Sequence, residues 1–223
     1  MKKLLSTVFV LCLGAIAVTS CQKDDGSKGS ANGHDYVDLG LSVRWATCNV
    51  GATHPVDYGD YYAWGETETK DCYDENTYKY GDGGCSTLSK YCTNSEYGIV
   101  DNKTTLDPDD DVAHVKWGDQ WRIPSSDEID ELLNYCSWTW IAQGDSNGYE
   151  VTGPNGNSIF LPAVGYRSGT TFCRTDMFGF YWSGSLDSVT PCYSYYIYFS
   201  KDFRIHDNFT RYSGLPVRPV LPK

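Results

Sequence analysis

The sequence predicts an α+β fold: short mixed or antiparallel strands, one clear helix over residues 125–136, and long irregular loops. Three observations carry the prediction. Only "SSDEIDELLNYC" has helical periodicity, with Ile129, Leu132, Leu133 and Cys136 on one face. Brief apolar or alternating runs recur between turn residues, as in "YVDLGLSVRWATC", "SIFLPAVGYR", "GFYWSGSL" and "PVRPVL". Between Lys70 and Asp111 the chain is rich in Tyr, Gly and Asp and has no sustained period, which predicts loops.

The helix carries its own start signal. Ser125 stands three residues before Glu128, the spacing of a capping box. Asp127, Glu128, Asp130 and Glu131 place negative charge in the first turns, where the helix dipole favours it.

The N-terminus reads as a removable leader. Lys2 and Lys3 precede an apolar run from Leu4 to Val18, too short to cross a bilayer, and small residues lead to Cys21. "VTSC" resembles a bacterial lipobox, which implies cleavage over residues 1–20 and acylation of Cys21. Residues 21–33 are polar and rich in Gly and Ser, so they are expected to form a flexible tether to a single domain over 34–223. "CQKDD" resembles an export signal that sends lipoproteins to the outer face of the outer membrane. The expected location is therefore the bacterial cell surface, held by the lipid at Cys21.

The chain of 223 residues has a formal net charge of −11, which argues against a nucleic-acid partner. Cys48, Cys72, Cys85, Cys92, Cys136, Cys173 and Cys192 remain after Cys12 and Cys21 are set aside. An exported domain permits disulfides, and an odd number leaves at least one thiol free or paired between chains. A Cys173–Cys192 disulfide, or two variable positions, is favoured over a catalytic thiol at either. The four His residues are scattered and C-x-x-C spacing is absent, so no zinc site is expected. "DPDDDVAH" (107–114) gathers carboxylates but lacks an ordered calcium-loop pattern and reads as a solvated acidic turn. No phosphate loop, G-x-S-x-G or H-E-x-x-H is present, and no cofactor is expected. The seven Trp residues read as core and turn packing rather than a sugar-stacking platform.

"YVDLGLSVRWATCNVGA" (36–52), "DYGDYYAWGET" (57–67), "KWGDQWRIPSSDEIDELL" (116–133), "GNSIFLPAVGYR" (156–167), "GFYWSGSL" (179–186) and "GLPVRPV" (214–220) together resemble the Fibrobacter succinogenes major paralogous domain family. The resemblance covers nearly the whole chain from His34. It implies a C-type lectin-like fold, shared with formylglycine-generating enzymes and bacterial variable binding proteins. The E-P-N, Q-P-D and W-N-D triplets of calcium-dependent lectins are absent, and "WGD" at 117–119 precedes the helix. The formylglycine enzymes' R-G-G-S-W-like segment and paired cysteines are also unmatched.

The segment "YSYYIYFSKDFRIHDNFTRYSG" (193–214) is the functional candidate. Eight of the twenty residues from Tyr193 to Tyr212 are Tyr or Phe, mixed with short polar side chains. Strand alternation assigns Tyr195, Ile197 and Phe199 to the core and Tyr196, Tyr198 and Ser200 to solvent, with a loop to follow. Exposed Tyr among Ser, Asn and Asp has the composition of a paratope. The resemblance adds that some such lipoproteins are diversified by retroelements mutating adenines in Asn codons, which cannot produce Lys, Glu, Gln, Met or Trp. Between Asp187 and Ser213 only Lys201 belongs to that group; ordinary evolution of a surface strand is the alternative. The expected function is non-enzymatic binding of a protein or glycan through a variable region over 187–213. The expected contacts are Tyr193, Tyr196, Tyr198, Phe203, Ile205, His206, Asn208, Phe209 and Tyr212. An enzyme of formylglycine-generating or glycan-active type, or a structural subunit of a surface assembly, is the alternative.

Overall fold

The computed structural model describes residues 27–223. Expectations for residues 1–20 and for Cys21 fall outside them. The described residues fold mostly into antiparallel sheet, with two short α-helices and one 3-10 turn. A four-stranded sheet has the order β1–β2–β3–β12, from Lys28–Ala31, His34–Asp38, Val43–Ala46 and Val220–Pro222. Three-stranded sheets are formed by β4 (Ser137–Gln143), β5 (Ser146–Thr152) and β6 (Ser158–Pro162), and by β9 (Phe178–Leu186), β10 (Tyr193–Ser200) and β11 (Arg204–Thr210) in the order β11–β10–β9. A small hairpin joins β7 (Tyr166–Ser168) to β8 (Thr171–Cys173).

The N-terminal boundary differs from the expectation. Lys28–Ala31 is not tether: it pairs with His34–Val37 through a turn at Asn32 and Gly33, both at positive φ. Glycine reaches that region without a Cβ clash, and Asn is among the side chains that tolerate it.

Helix α2 (Ser126–Tyr135) starts as its sequence dictates. Ser125 Oγ accepts from the Glu128 N–H, and Glu128 Oε2 accepts from the Ser125 N–H, completing the capping box. Arg122 then grips Glu128 with two hydrogen bonds of 2.7 and 2.5 Å. Ile129 and Leu132 are buried by the apolar face. The backbone of Arg122 exchanges hydrogen bonds with Val220, which joins the "WRIP" stretch to the C-terminal strand. Val220 in turn pairs with Trp45, so the C-terminal strand lies beside β3.

The acidic stretch is not a solvated turn. Asp110 and Asp111 are 4% and 7% exposed. Asp111 caps a second helix, α1 (Val112–Trp117), by accepting from Ala113 and His114 N–H, and its other oxygen accepts from Ile123 N–H. Asp110 accepts from Lys79 Nζ at 3.0 Å, Lys90 Nζ at 2.5 Å and the Tyr91 hydroxyl at 2.6 Å. These carboxylates tie the long loops to the body. Among the described residues no three His, Cys, Asp or Glu side chains group as a metal site.

Among the described residues one disulfide forms, between Cys85 and Cys192, across 107 positions of sequence. Of the two readings favoured for Cys173 and Cys192, a mutual disulfide is corrected: Cys173 is free, as are Cys48, Cys72, Cys92 and Cys136. Cys85 sits in the irregular region, where no periodicity could place it in advance.

Two apolar clusters fill the interior. One gathers Trp64, Tyr91, Trp121, Trp182 and Leu215. The other gathers Trp45, Ile129, Leu132, Tyr149 and Phe199. Strands β9 and β10 run between them and feed both. Phe180, Trp182 and Tyr196 enter the first cluster, and Tyr181, Ile197 and Phe199 the second.

Candidate ligand-binding surface

Residues 193–210 form a hairpin, not a strand followed by a loop. Tyr193 through Phe199 pair in unbroken register with Thr210 through Arg204, and β11 is the outer strand of its sheet. Ser200 N–H donates to Phe203 C=O at 2.8 Å, which closes the turn. Antiparallel pairs alternate between hydrogen-bonded and non-hydrogen-bonded sites. Counting from the Ser200–Phe203 pair, Ile205, Asp207 and Phe209 bond inward to β10. The backbone polar groups of Arg204, His206 and Asn208 therefore point outward along the edge. The Asn208 N–H is met there by Asp207 Oδ1 at 2.9 Å.

The expected split of β10 into a core face and a solvent face is corrected by burial. Tyr196, assigned to solvent, is 4% exposed and lies among Phe180, Trp182 and Phe209. Burial pushes its phenol well above the usual range, so it stays neutral. Ser200 is buried, whereas Tyr195, assigned to the core, is only half-buried. The reason is that α2 covers one face of this sheet and the tyrosine- and tryptophan-rich loops cover the other.

Tyr198 is half-buried and stacks on Phe178 at 5.5 Å, with Phe180 at 4.7 Å and Phe203 at 5.0 Å. Phe209 packs on Tyr166 at 5.2 Å. Together these rings make a continuous aromatic slab under the hairpin tip. Its pairs mix stacked, tilted and edge-on geometries, with ring centroids at the separations aromatic pairs prefer. Phe203 and Ile205 emerge from it, 38% and 41% exposed.

His206 lies on the opposite face and pins the hairpin to α2. Its Nδ1 meets Asp130 Oδ1 at 2.9 Å and its Nε2 meets Ser126 Oγ at 2.8 Å. Asn208 Nδ2 donates to Asp187 Oδ2 at 2.6 Å. Tyr193 and Tyr212 are half-buried near the root of the hairpin.

Of the nine expected contacts, the structure brings Phe203, Ile205 and His206 to one open cleft of about 610 Å³, with Arg204, Asp130, Leu133 and Asn134. The sequence reading missed these last four. Of the three from α2, the sequence assigns Leu133 only to the buried apolar face and Asp130 only to the helix dipole, while Asn134 carries no signal; Arg204 adjoins Phe203 but was passed over. Tyr198 backs Phe203 from the slab side, Phe209 packs further along the slab, Asn208 lies further along the strand, and Tyr196 belongs to the core.

Cys192 is consumed by its disulfide, so it offers no thiol for the enzymatic alternative. Cys173 is free and half-exposed on β8. Among the described residues no helix is long and apolar enough to cross a membrane. No protein-family profile, curated protein or solved structure matches the chain.

Proposed function

We propose that this chain is a lipid-anchored surface protein that binds a protein or glycan ligand through the tip and outer edge of the β10–β11 hairpin. The observation that carries this reading is the placement of exposed Phe203 and Ile205 on an ordered aromatic slab, beside the cleft against α2. Exposed apolar side chains on a rigid base lose little entropy on binding. They are the type of anchor that dominates interfaces. The free edge of β11 favours an extended protein segment, whose backbone could pair with Arg204, His206 and Asn208. The adjacency of β3 and β12 supports the C-type lectin-like reading of the fold.

Retroelement diversification of 187–213 is part of the proposal. Under it, variation concentrates at exposed positions such as Phe203, Arg204, Ile205 and Asp207. Asp187, Ser194, Arg211 and Ser213 are buried and stay fixed. Sequencing the genomic DNA downstream of the gene tests this. A near-copy of the coding segment for 179–220, with Asn codons at the exposed positions, together with a reverse-transcriptase gene, supports it; absence of both removes it. Binding is tested by capture of surface ligands from neighbouring cells with the full-length chain. The Phe203→Ala/Ile205→Ala variant is expected to lose capture by at least about tenfold. Equal capture by variant and parent would overturn the assignment of the surface.

A further inference from the structure

A second cleft, of about 560 Å³, opens between the loop 58–73 and the β7–β8 hairpin. It shares no lining residue with the cleft against α2. We propose that this cleft binds a neutral saccharide, independently of the hairpin surface.

The cleft is built rather than incidental. The β7–β8 hairpin is clamped to the loop by reciprocal backbone hydrogen bonds of 2.8 Å between Tyr73 and Gly169. Arg167 reaches across and donates to the carbonyls of Lys70 and Asp71 at 3.1 and 2.8 Å. Its guanidinium lies over the Tyr73 ring at 4.9 Å and the Phe172 ring at 4.8 Å. Phe172 also packs edge-on against Tyr61 at 5.4 Å. Held by both neighbours, Phe172 is nevertheless 57% exposed. A fixed, exposed ring facing a polar cleft offers binding area at little entropic cost.

The polar groups select among ligands. Asp60 and Asp71 are exposed on the wall and accept hydrogen bonds. Lys70 is already committed, with its Nζ 2.8 Å from Glu66 Oε1, and Arg167 spends Nη donors on the Lys70 and Asp71 carbonyls, so both cations are already engaged within the wall. An anionic ligand would meet two carboxylates, and an apolar ligand would desolvate them without a partner. A neutral sugar meets both demands. Its C–H face packs on Phe172, and its hydroxyls donate to Asp60 and Asp71.

Saturation-transfer NMR on the full-length chain tests the proposal. The probes are linear hexaoses of glucose, mannose and galactose, with a hyaluronan hexasaccharide as the acidic comparator. At least one neutral hexaose is expected to bind, and Phe172→Ala is expected to weaken it by about tenfold or more. Asp71→Asn, at an exposed site that leaves the fold intact, is expected to weaken it by about threefold or more. Phe203→Ala is expected to leave it unchanged, which separates this cleft from the hairpin surface. The proposal is overturned if no neutral hexaose binds at about 10 mM, if only hyaluronan binds, or if binding survives both Phe172→Ala and Asp71→Asn.

Discussion

Arg211 donates its Nε–H to the Tyr78 hydroxyl at 2.8 Å inside the core, joining the end of the β10–β11 hairpin to the long irregular loop. Its Nη groups reach the carbonyls of Lys90, Tyr91 and Pro191, and its plane lies over Trp64 at 5.0 Å. Arg211 is 1% exposed. A single guanidinium thus organises four chain segments that have no sheet in common. Lysine carries one point charge and cannot reproduce this fork. Arg211→Lys is expected to cost about 3 kcal/mol, read as a lower urea midpoint with unchanged slope. A loss below about 1 kcal/mol would show that the loop holds itself.

Gly179 faces Phe199 across the β9–β10 pairing. A Cβ at 179 would fall within contact of three Phe199 ring atoms, which are fully buried and walled in by Trp138, Tyr149 and Tyr181. Gly179→Ala is expected to destabilise by about 1–3 kcal/mol through overpacking. Thermal unfolding of the variant checks this, and an unchanged Tm would refute it.

Asp110 ties stability to acid. Burial alone would raise its pKa, but hydrogen bonds from Lys90, Tyr80, Tyr91 and Lys79 hold it well below the usual carboxylate range. The folded state therefore binds this proton less readily than the unfolded chain. The resulting stabilisation is complete above about pH 4 and is lost as pH falls towards the depressed folded value. Asp110→Asn should cost about 2 kcal/mol at pH 7, taken at the low end because the lysines are partly solvated. It should also flatten the decline below pH 4. Asp107, depressed by Lys103 and Lys90, retains part of that slope. Urea titrations at pH 3, 4 and 7 would distinguish these outcomes; parallel curves for parent and variant would contradict the assignment.

Scaffold and surface within the hairpin separate by stability. Tyr196→Ala removes a core ring and is expected to cost about 3–5 kcal/mol. Phe203→Ala and Ile205→Ala are each expected to cost under about 1 kcal/mol. Equal losses at Tyr196 and Ile205 would mean that the hairpin edge is itself structural.

The sequence alone determined the local devices. The capping box at Ser125 and Glu128, the apolar face of α2, the short strands and the irregular stretch before Asp111 all follow from interactions within a few residues. Chain-local physics fixes them wherever the segment lies.

The tertiary structure decided which side of each element meets water. Alternation in β10 separates two faces but does not say that one is wet, and here α2 and the aromatic loops cover both. Tyr196 therefore lies in the core, and Ile205, one strand further out, meets solvent. The Cys85–Cys192 pairing, the burial of Asp110 and the reach of Arg167 to the Lys70 and Asp71 carbonyls likewise connect residues from separate segments. Their positions depend on how the long loop packs, and that is set by buried rings and a buried guanidinium rather than by any repeating pattern along the chain.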